Sequence, residues 1–288
     1  FMDLRLYDET YAAFCNAIPQ QNARILDAGC GPGNITRYLL SRRPDFRIDG
    51  IDVAPNMVEL AIRNNPAANF QVLDIRELHR LESVYDGIIC GFCLPFLSES
   101  DCQKLLADAC ALLSDRGVLY LSFVEGDPGQ SGFKTGGDGQ RVYFYYHGAA
   151  GLSAQLARLG FEAPEIFRVN FERGDGRADE EHCVLLARRK IEIYSCDIEG
   201  TFSLGQPTRQ FTGTIILETR DDCIYFSWKI NSIENELLAS KSAPISFQEI
   251  PKNTDKYEFA LNYAKRSIEN FRINRKEVFR IQKLTSKK

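Results

Sequence analysis

The chain has 288 residues, 44% of them hydrophobic, and carries 35 basic against 39 acidic side chains for a net charge of −4. That length and apolar content support one large domain or two modest ones and exclude intrinsic disorder. The longest apolar run falls far short of the roughly 20 residues that span a bilayer, and no signal-peptide pattern opens the chain, so the expectation is a soluble, cytoplasmic protein that makes no membrane contact. Residue 1 is Phe rather than Met, so a trimmed or replaced N-terminus is expected, which leaves room for a removed targeting segment.

Nine cysteines is an odd number, and their spacing matches no disulfide or zinc framework. Free thiols in a reducing compartment are expected, with Cys90 and Cys93 as core or pocket lining rather than a redox or metal pair. No cluster of His, Cys and acids has metal-site spacing. Composition changes at Lys190. Up to that residue Arg supplies nearly all positive charge and the net charge is −6; beyond it Lys overtakes Arg and the net charge is +2. The seam predicts two domains, 1–190 and 191–288.

Residues 1–190 alternate in the α/β manner. Strands are expected at Ala23–Asp27, Arg47–Asp52, Asn69–Leu73, Gly87–Gly91 and Val118–Phe123, their apolar runs suiting strands buried on both faces. Between them, Ile35, Tyr38 and Leu39 mark one helix stopped by Pro44. Pro55 opens a second, with Met57, Leu60 and Ala61 facing inward. Ser98 caps a third whose stripe runs Cys102, Leu105, Leu106, Ala109, Leu112 and Leu113. Leu152, Leu156 and Leu159 mark a helix ended by Gly160, followed by two strands, Glu165–Phe171 and His182–Ala187, joined by the polar turn Glu172–Glu181. The fold class is a doubly wound, Rossmann-like and mostly parallel sheet with a terminal antiparallel strand.

Residues 191–288 read as a small α+β domain. Strands are expected at Ile191–Ile198, Gly213–Thr219, Cys223–Ile230, Ala243–Ile250 and Val278–Leu284, with Arg220-Asp-Asp as a tight turn. Thr254 caps a helix over Lys256–Phe271 whose inward face is Phe259, Tyr263, Ser267 and Phe271 or their close neighbours.

The stretch Ile25-Leu-Asp-Ala-Gly-Cys-Gly-Pro-Gly-Asn34 carries the chemistry of the first half. A glycine turn after a buried strand lets backbone approach a ligand, because no side chain blocks the way. A dinucleotide loop spaces its glycines G-x-G-x-x-G and a phosphate loop needs G-K-[ST]. This loop is Gly29-x-Gly31-x-Gly33, has no Lys, and begins with the acid Asp27. A carboxylate there repels phosphate and suits an amine.

These residues resemble the first motif of the class I S-adenosylmethionine-dependent methyltransferases. The resemblance covers about residues 1–190 and implies S-adenosyl-L-methionine as cofactor. It places Asp27, Gly29, Cys30, Gly31 and Gly33 in the cofactor loop, Asp52 on both ribose hydroxyls, and Val53 and Met57 beside the adenine. Asp74 and Ile75 match the position contacting the adenine amine and ring, and Cys90-Gly-Phe-Cys-Leu94 would wall the methionine part and the methyl group. The N-terminal Leu4-Arg-Leu-Tyr-Asp-Glu-Thr-Tyr11 resembles a segment that folds over bound cofactor, with Tyr7 capping the methionine carboxylate.

The methyl acceptor is less legible. The Asn/Asp-Pro-Pro-Tyr tetrad of amino-methylating enzymes and the Pro-Cys nucleophile of cytosine-C5 enzymes are missing, which disfavours those substrates. Glu125–Arg141 is a glycine-rich insertion of lid length that runs into Val142-Tyr-Phe-Tyr-Tyr-His147. His147 is the candidate general base. Tyr146, with Tyr143, Tyr145 and Arg141, is expected to shape the substrate pocket. His79 and His182 read as surface or strand-end residues.

An acidic first half argues against a nucleic-acid substrate, so a small-molecule methyl acceptor is the expected partner. Lys265–Lys288 holds nine basic residues and two acidic ones. Such a run is usually a solvated helix face and tail; its alternative use is docking to an acidic protein or to RNA. The second function class is therefore a cofactor-binding module whose basic C-terminal domain recruits a partner.

Overall fold

The computed structural model describes residues 5–135, 139, 141–171, 180–190, 193–203, 208–220, 223–232, 237–246, 249–251, 254–270 and 278–287. The backbone falls into two compact units, residues 1–190 and 191–288. Each is built on its own sheet.

The first unit opens with a 3-10 turn, Arg5–Tyr7, leading into α1 (Asp8–Ala17). Then come β1 (Arg24–Ala28), α2 (Asn34–Arg42), β2 (Arg47–Asp52), α3 (Pro55–Asn64), β3 (Asn69–Val72), β4 (Tyr85–Gly91), α4 (Glu99–Leu112) and β5 (Leu113–Val124). A hairpin of β6 (Gly132–Thr135) and β7 (Arg141–Phe144) precedes α5 (Ala149–Arg158), β8 (Glu165–Phe171) and β9 (Glu180–Arg188). The sheet order is β3-β2-β1-β4-β5-β9-β8, parallel from β3 through β5 and antiparallel beyond. Strand order reverses between β1 and β4, and ligands of wound sheets bind at the carboxyl ends beside such a switch point.

Hydrophobic cores lie on both faces. One gathers α4 and α5 through Leu105, Leu106, Leu152 and Leu156 over β4 and β5. The other gathers α1 and α2 through Phe14, Cys15 and Leu39 over Ile25, Ile48 and Tyr120. Burial on both faces explains why β1 and β5 read as apolar runs rather than alternating ones. Ser98 caps α4 as its sequence predicts, accepting from the Asp101 N–H, and Gly160 ends the α5 region in the left-handed conformation (φ 84°).

Several local expectations shift. In α3 the buried residues are Val58 and Ala61, while Leu60 stays 37% exposed. The proline start fixes the helix phase, and Val58 rather than its longer neighbour meets the sheet. Leu113 belongs to β5, not to the helix before it. The polar turn expected at Glu172–Glu181 lies largely outside the described residues. The glycine-rich lid is partly an ordered hairpin, in which Phe133, Tyr143 and Tyr145 form an aromatic ladder. Alternating aromatics there suit a pleated strand better than a loose loop.

The second unit is an antiparallel sheet in the order β13-β12-β11-β10-β14, formed by β10 (Ile193–Ser203), β11 (Thr208–Arg220), β12 (Cys223–Ser232), β13 (Leu237–Ser246) and β14 (Val278–Lys287). Four strands meander, and α6 (Lys256–Glu269) crosses to bring β14 beside β10. Its core is Phe211, Ile215, Phe226, Trp228, Ile230 and Ile245 against α6. The inward stripe of α6 is Ala260, Ala264 and Ile268, the immediate neighbours of the expected residues, and Tyr263 is 45% exposed. Small alanines let the helix axis approach a sheet already filled by Trp228 and Phe226, and Tyr263 reaches only the Phe226 ring edge at 5.6 Å. Ser267 does face inward, accepting from Trp228 Nε1 at 3.3 Å. The cap is Asp255, not Thr254: its carboxylate accepts from the N–H groups of Tyr257 and Glu258. The Arg220-Asp-Asp turn beyond Arg220 and Phe271 lie outside the described residues.

Candidate cofactor site

The loop after β1 is held by its own backbone. Gly29 and Cys30 both donate to the Ile51 carbonyl at 2.8 Å, and Gly33 donates to the Cys30 carbonyl at 3.0 Å before opening α2. All three glycines have positive φ. Their surroundings differ. A Cβ on Gly33 would lie 2.3 Å from Asn65 Nδ2, and one on Gly29 would lie 2.1 Å from Cys93 Sγ, whereas a Cβ on Gly31 would meet nothing within 4 Å. Gly29 and Gly33 thus allow close packing within the protein, and Gly31 leaves the approach to the loop open.

Three acids stand at three successive strand ends, and each has different hydrogen-bond partners. Asp27 is fully buried, and its Oδ2 accepts from Thr36 Oγ1 at 2.6 Å. Its Oδ1 has no hydrogen-bond partner among the described residues. Burial pushes its carboxyl up to about 6, against the pull of the Thr36 hydrogen bond. Asp52 accepts from the Gly31 N–H and the Ala54 N–H, each at 2.9 Å, tying the loop to the end of β2. Asp74 caps a 3-10 turn over Ile75–Arg80 and is clamped by Arg76, whose Nη2 lies 2.5 Å from Oδ2. The hydrogen bonds from Arg76 hold the Asp74 carboxyl below its ordinary range.

Two cavities flank the loop. One, of about 510 Å³, runs from Gly29, Cys30 and Gly31 along Tyr11, Arg37 and Tyr38. The other, of about 330 Å³, is lined by Asp52, Val53, Asp74, Ile75, Cys93 and Phe96. Gly29, Gly91 and Phe92 line both, so the two are halves of one cleft over the strand ends. Phe92 holds a positive φ of 56° and donates its N–H to Ser122 on β5. A bulky residue in that conformation stores strain of a kind that concentrates at functional sites.

Most of the loop residues named from sequence meet here: Gly29, Cys30, Gly31, Asp52, Val53, Asp74 and Ile75 line the cleft, with Asp27 beneath it and Gly33 behind. Met57 is half-buried on α3 and lines neither half. Cys90 is corrected. It is 1% exposed in the core, hydrogen-bonded to Cys93, and burial adds to that bond in raising its thiol far above the ordinary range. Side chains alternate along a strand, and Cys93, past the strand end, is the thiol that faces the cleft. Tyr7 is fully buried, its hydroxyl paired with His182 Nδ1 and its ring edge-on to Phe92. His182 is also corrected: it is 7% exposed and stacked between Tyr7 and Phe171. A strand-end position in sequence hid that it sits where the antiparallel β9 meets the N-terminal turn.

His147 and Tyr146 are not in the cleft. They line a separate cavity beside the hairpin, which shares no lining residue with either half. His147 Nε2 bonds the Leu94 carbonyl at 2.9 Å, and the Tyr145 N–H donates to the Pro95 carbonyl at 2.8 Å, so the 3-10 turn Leu94–Phe96 forms the partition. Sequence order placed them after β5; the hairpin carries them behind that turn. Tyr11 belongs to the N-terminal segment expected over the cofactor and does line the cleft, whereas Arg37, Tyr38 and Arg76 were missed as cleft residues.

Residues 25–117 match the family described as methyltransferase domain. Over 105 residues the chain is 36% identical to the trans-aconitate 2-methyltransferase of Escherichia coli, covering 36% of this chain and 40% of that one. It is 48% identical over 67 residues to the malonyl-[acyl-carrier protein] O-methyltransferase of Acetivibrio thermocellus, covering 23% of each. The matched stretches thus span less than half of these relatives. Among solved structures, a methyltransferase from Methanosarcina mazei superposes with a TM-score of 0.52 at 18% identity, over 62% of this chain and 97% of its own. The 1,6-didemethyltoxoflavin-N1-methyltransferase of Burkholderia thailandensis, solved with its acceptor and S-adenosylhomocysteine, gives 0.50 at 25% identity over 65% and 80%. The sequence match falls on the strand-end acids and the loop, the fold match on the sheet that presents them, and together they support a class I S-adenosylmethionine-dependent methyltransferase domain in the first unit.

Proposed function

We propose that the chain transfers a methyl group from S-adenosylmethionine to a small-molecule acceptor bound at the Phe92 end of the cleft. The observation that carries this is the continuity of the two cavities through Gly29, Gly91 and Phe92: an amino acid joined to adenosine fits along that line without phosphate contacts. The buried, unpartnered Oδ1 of Asp27 fits a bound ammonium group, the open face of Gly31 leaves room for the ligand, and Asp52 and Asp74 line the nucleoside half. Bound there, the cofactor supplies an electrophilic methyl on a sulfonium. What the chain adds is position. Tyr11 and Phe92 wall the methionine half and exclude water, and Tyr7, held by His182, backs Phe92 so that the acceptor meets a fixed surface.

The relatives that act on trans-aconitate, malonyl-acyl carrier protein and 1,6-didemethyltoxoflavin support a small acceptor. A carboxylate acceptor would need no general base at neutral pH. In this reading His147 positions the Leu94–Phe96 turn rather than taking a proton, and His147→Ala retains turnover. The free thiols among the described cysteines support a reducing compartment such as the cytoplasm, and among the described residues no helix is long and apolar enough to cross a membrane. The test is a melting shift with S-adenosylhomocysteine and with NAD, followed by transfer of labelled methyl to a panel of small acids and heterocyclic amines. Stabilisation by NAD alone would overturn the cofactor assignment; stabilisation by S-adenosylhomocysteine with transfer only to macromolecules would overturn the acceptor class.

A further inference from the structure

The cavity beside the hairpin has about 330 Å³ of room and is absorbed by nothing in the methyl-transfer reading. Its lining has one chemical accent. Tyr143, Tyr145 and Tyr146 contribute aromatic rings, Tyr143 and Tyr145 with centroids 4.6 Å apart at 47°. Glu99 contributes an exposed carboxylate that also accepts from Gln103 Nε2 at 3.3 Å, and Gln155 borders the cavity with its Oε1 turned into the protein, away from solvent. Among the described residues no Lys or Arg lines it, and His147 Nε2 is spent on the Leu94 carbonyl. The positive end of α5, which also borders the cavity, is answered by Glu125, whose Oε1 accepts from the Ala149 N–H at 3.1 Å. What the lining offers a cation is ring faces, the tyrosine hydroxyl oxygens and the Glu99 carboxylate.

The hairpin rings already attract cations from the chain itself. Lys134 Nζ stands 5.1 Å from the Tyr146 ring centre and 3.2 Å from its hydroxyl, and the Arg141 guanidinium stands 4.8 Å over Phe133. Aromatic faces with a carboxylate at one side are the arrangement that holds an ammonium group, because the ring quadrupole and the negative charge act together while the walls stay apolar.

We infer that the cavity formed by Glu99, Tyr143, Tyr145, Tyr146 and Gln155 is a binding site for a compact alkylammonium group, separate from the cofactor cleft. The ammonium sits against the tyrosine rings and the Glu99 carboxylate. Its occupant is carried either as the distal arm of a larger molecule or as a free small amine; both present the same cation. This inference stands on the cavity alone and survives any outcome for the acceptor.

The test is calorimetric titration of the full chain with tetramethylammonium, choline and butylammonium chlorides, using sodium chloride and sodium propionate at equal ionic strength as controls. Saturable binding of at least one ammonium, and none of propionate, is expected. Tyr145→Leu and Glu99→Gln each weaken it by about tenfold or more, while Tyr145→Phe, which keeps the ring, stays within about threefold. Circular dichroism and S-adenosylhomocysteine affinity, measured on every variant, confirm folding and keep the cleft's behaviour separate. Addition of S-adenosylhomocysteine then distinguishes the sources: a free amine binds with or without it, and an acceptor's arm is recognised by tighter binding of longer amines in its presence. Absence of saturable ammonium binding, preference for propionate, or binding indifferent to Tyr145→Leu in a folded variant overturns the assignment.

Discussion

The two sheets of this chain are built by opposite rules. In the first unit β1 runs Ile25, Leu26, Asp27 and Ala28 with every one of them buried, because helices cover both faces and leave the strand ends as the places where polar chemistry reaches solvent. In the second, β11 alternates, with Phe211, Ile215 and Leu217 inside and Thr212 and Ile216 outside, because only one face meets α6. A sheet closed on both sides concentrates function at its edge, which is where Asp27, Asp52, Asp74 and Phe92 gather. A sheet closed on one side offers a face.

The largest test of this contrast uses one core ring from each unit. Phe123→Ala and Phe226→Ala should each remove about 3–5 kcal/mol from the unit that holds it. Trp228 is the single tryptophan and is 1% exposed in the second core, so its emission reports that unit alone. Phe226→Ala should lower the tryptophan-detected midpoint and leave S-adenosylhomocysteine affinity within about twofold. Phe123→Ala should do the reverse. If Phe226→Ala also abolished cofactor binding, the units would be energetically one.

Ligand addition sharpens the same contrast with a smaller effect. At a hundredfold excess over its dissociation constant, S-adenosylhomocysteine should stabilise the first unit by about 2.7 kcal/mol. The transition followed by tryptophan emission should not move. A matching shift in both signals would show that the ligand bridges what the sheets keep apart.

Asp27 gives a pH-dependent effect of about 2–3 kcal/mol, from its rise to about 6 above an ordinary value of 3.8. Its folded value is the higher one, so the folded state binds the proton more tightly than the unfolded chain does. The resulting stability is fully present below about pH 4 and is lost as pH rises through about 6. Denaturation of the first unit should therefore show a fall in stability between pH 4 and 7 that Asp27→Asn lacks. A bound ammonium favours the ionised acid, so affinity for S-adenosylhomocysteine should rise with pH across the same window in the wild type and stay flat in Asp27→Asn.

Legibility followed the two building rules. Strands buried on both faces are long apolar runs, and the glycine loop with its acids is a local pattern, so the first sheet and most of the cleft could be read residue by residue. What failed there depended on contacts distant in sequence: Cys93 rather than Cys90 facing the cleft, His182 meeting Tyr7 across 175 positions, and His147 carried behind the Leu94–Phe96 turn. In the second unit most strands were legible from alternation, although β13 runs Leu237–Ser246 rather than the expected Ala243–Ile250, and the face of α6 was legible only to within one residue. Periodicity fixes a stripe's spacing, while its phase was decided by the volume of Trp228 and Phe226 opposite, which made Ala260 and Ala264 the better fit.

The helix starts carry the same lesson into the smallest prediction. Ser98 and Thr254 are both hydroxyl residues placed before an amphipathic stretch, and sequence treats them alike. In the structure Ser98 Oγ accepts from the Asp101 N–H at 3.2 Å and donates to the Asp101 carboxylate at 2.7 Å, closing a reciprocal cap. Thr254 instead stands one residue too early, its N–H spent on the Pro251 carbonyl. Asp255 takes the cap, its Oδ1 accepting from Tyr257 and Glu258 at 2.9 and 2.8 Å, and a carboxylate there also faces the positive end of the helix. Ser98→Ala and Asp255→Ala should therefore each cost about 1 kcal/mol in their own unit, with Thr254→Ala within about 0.5 kcal/mol of wild type. Urea midpoints resolve this difference, with tryptophan emission reading the second unit. A Thr254→Ala loss equal to that of Asp255→Ala would move the cap back to the threonine and rotate the helix start by one residue, toward the face its periodicity first suggests.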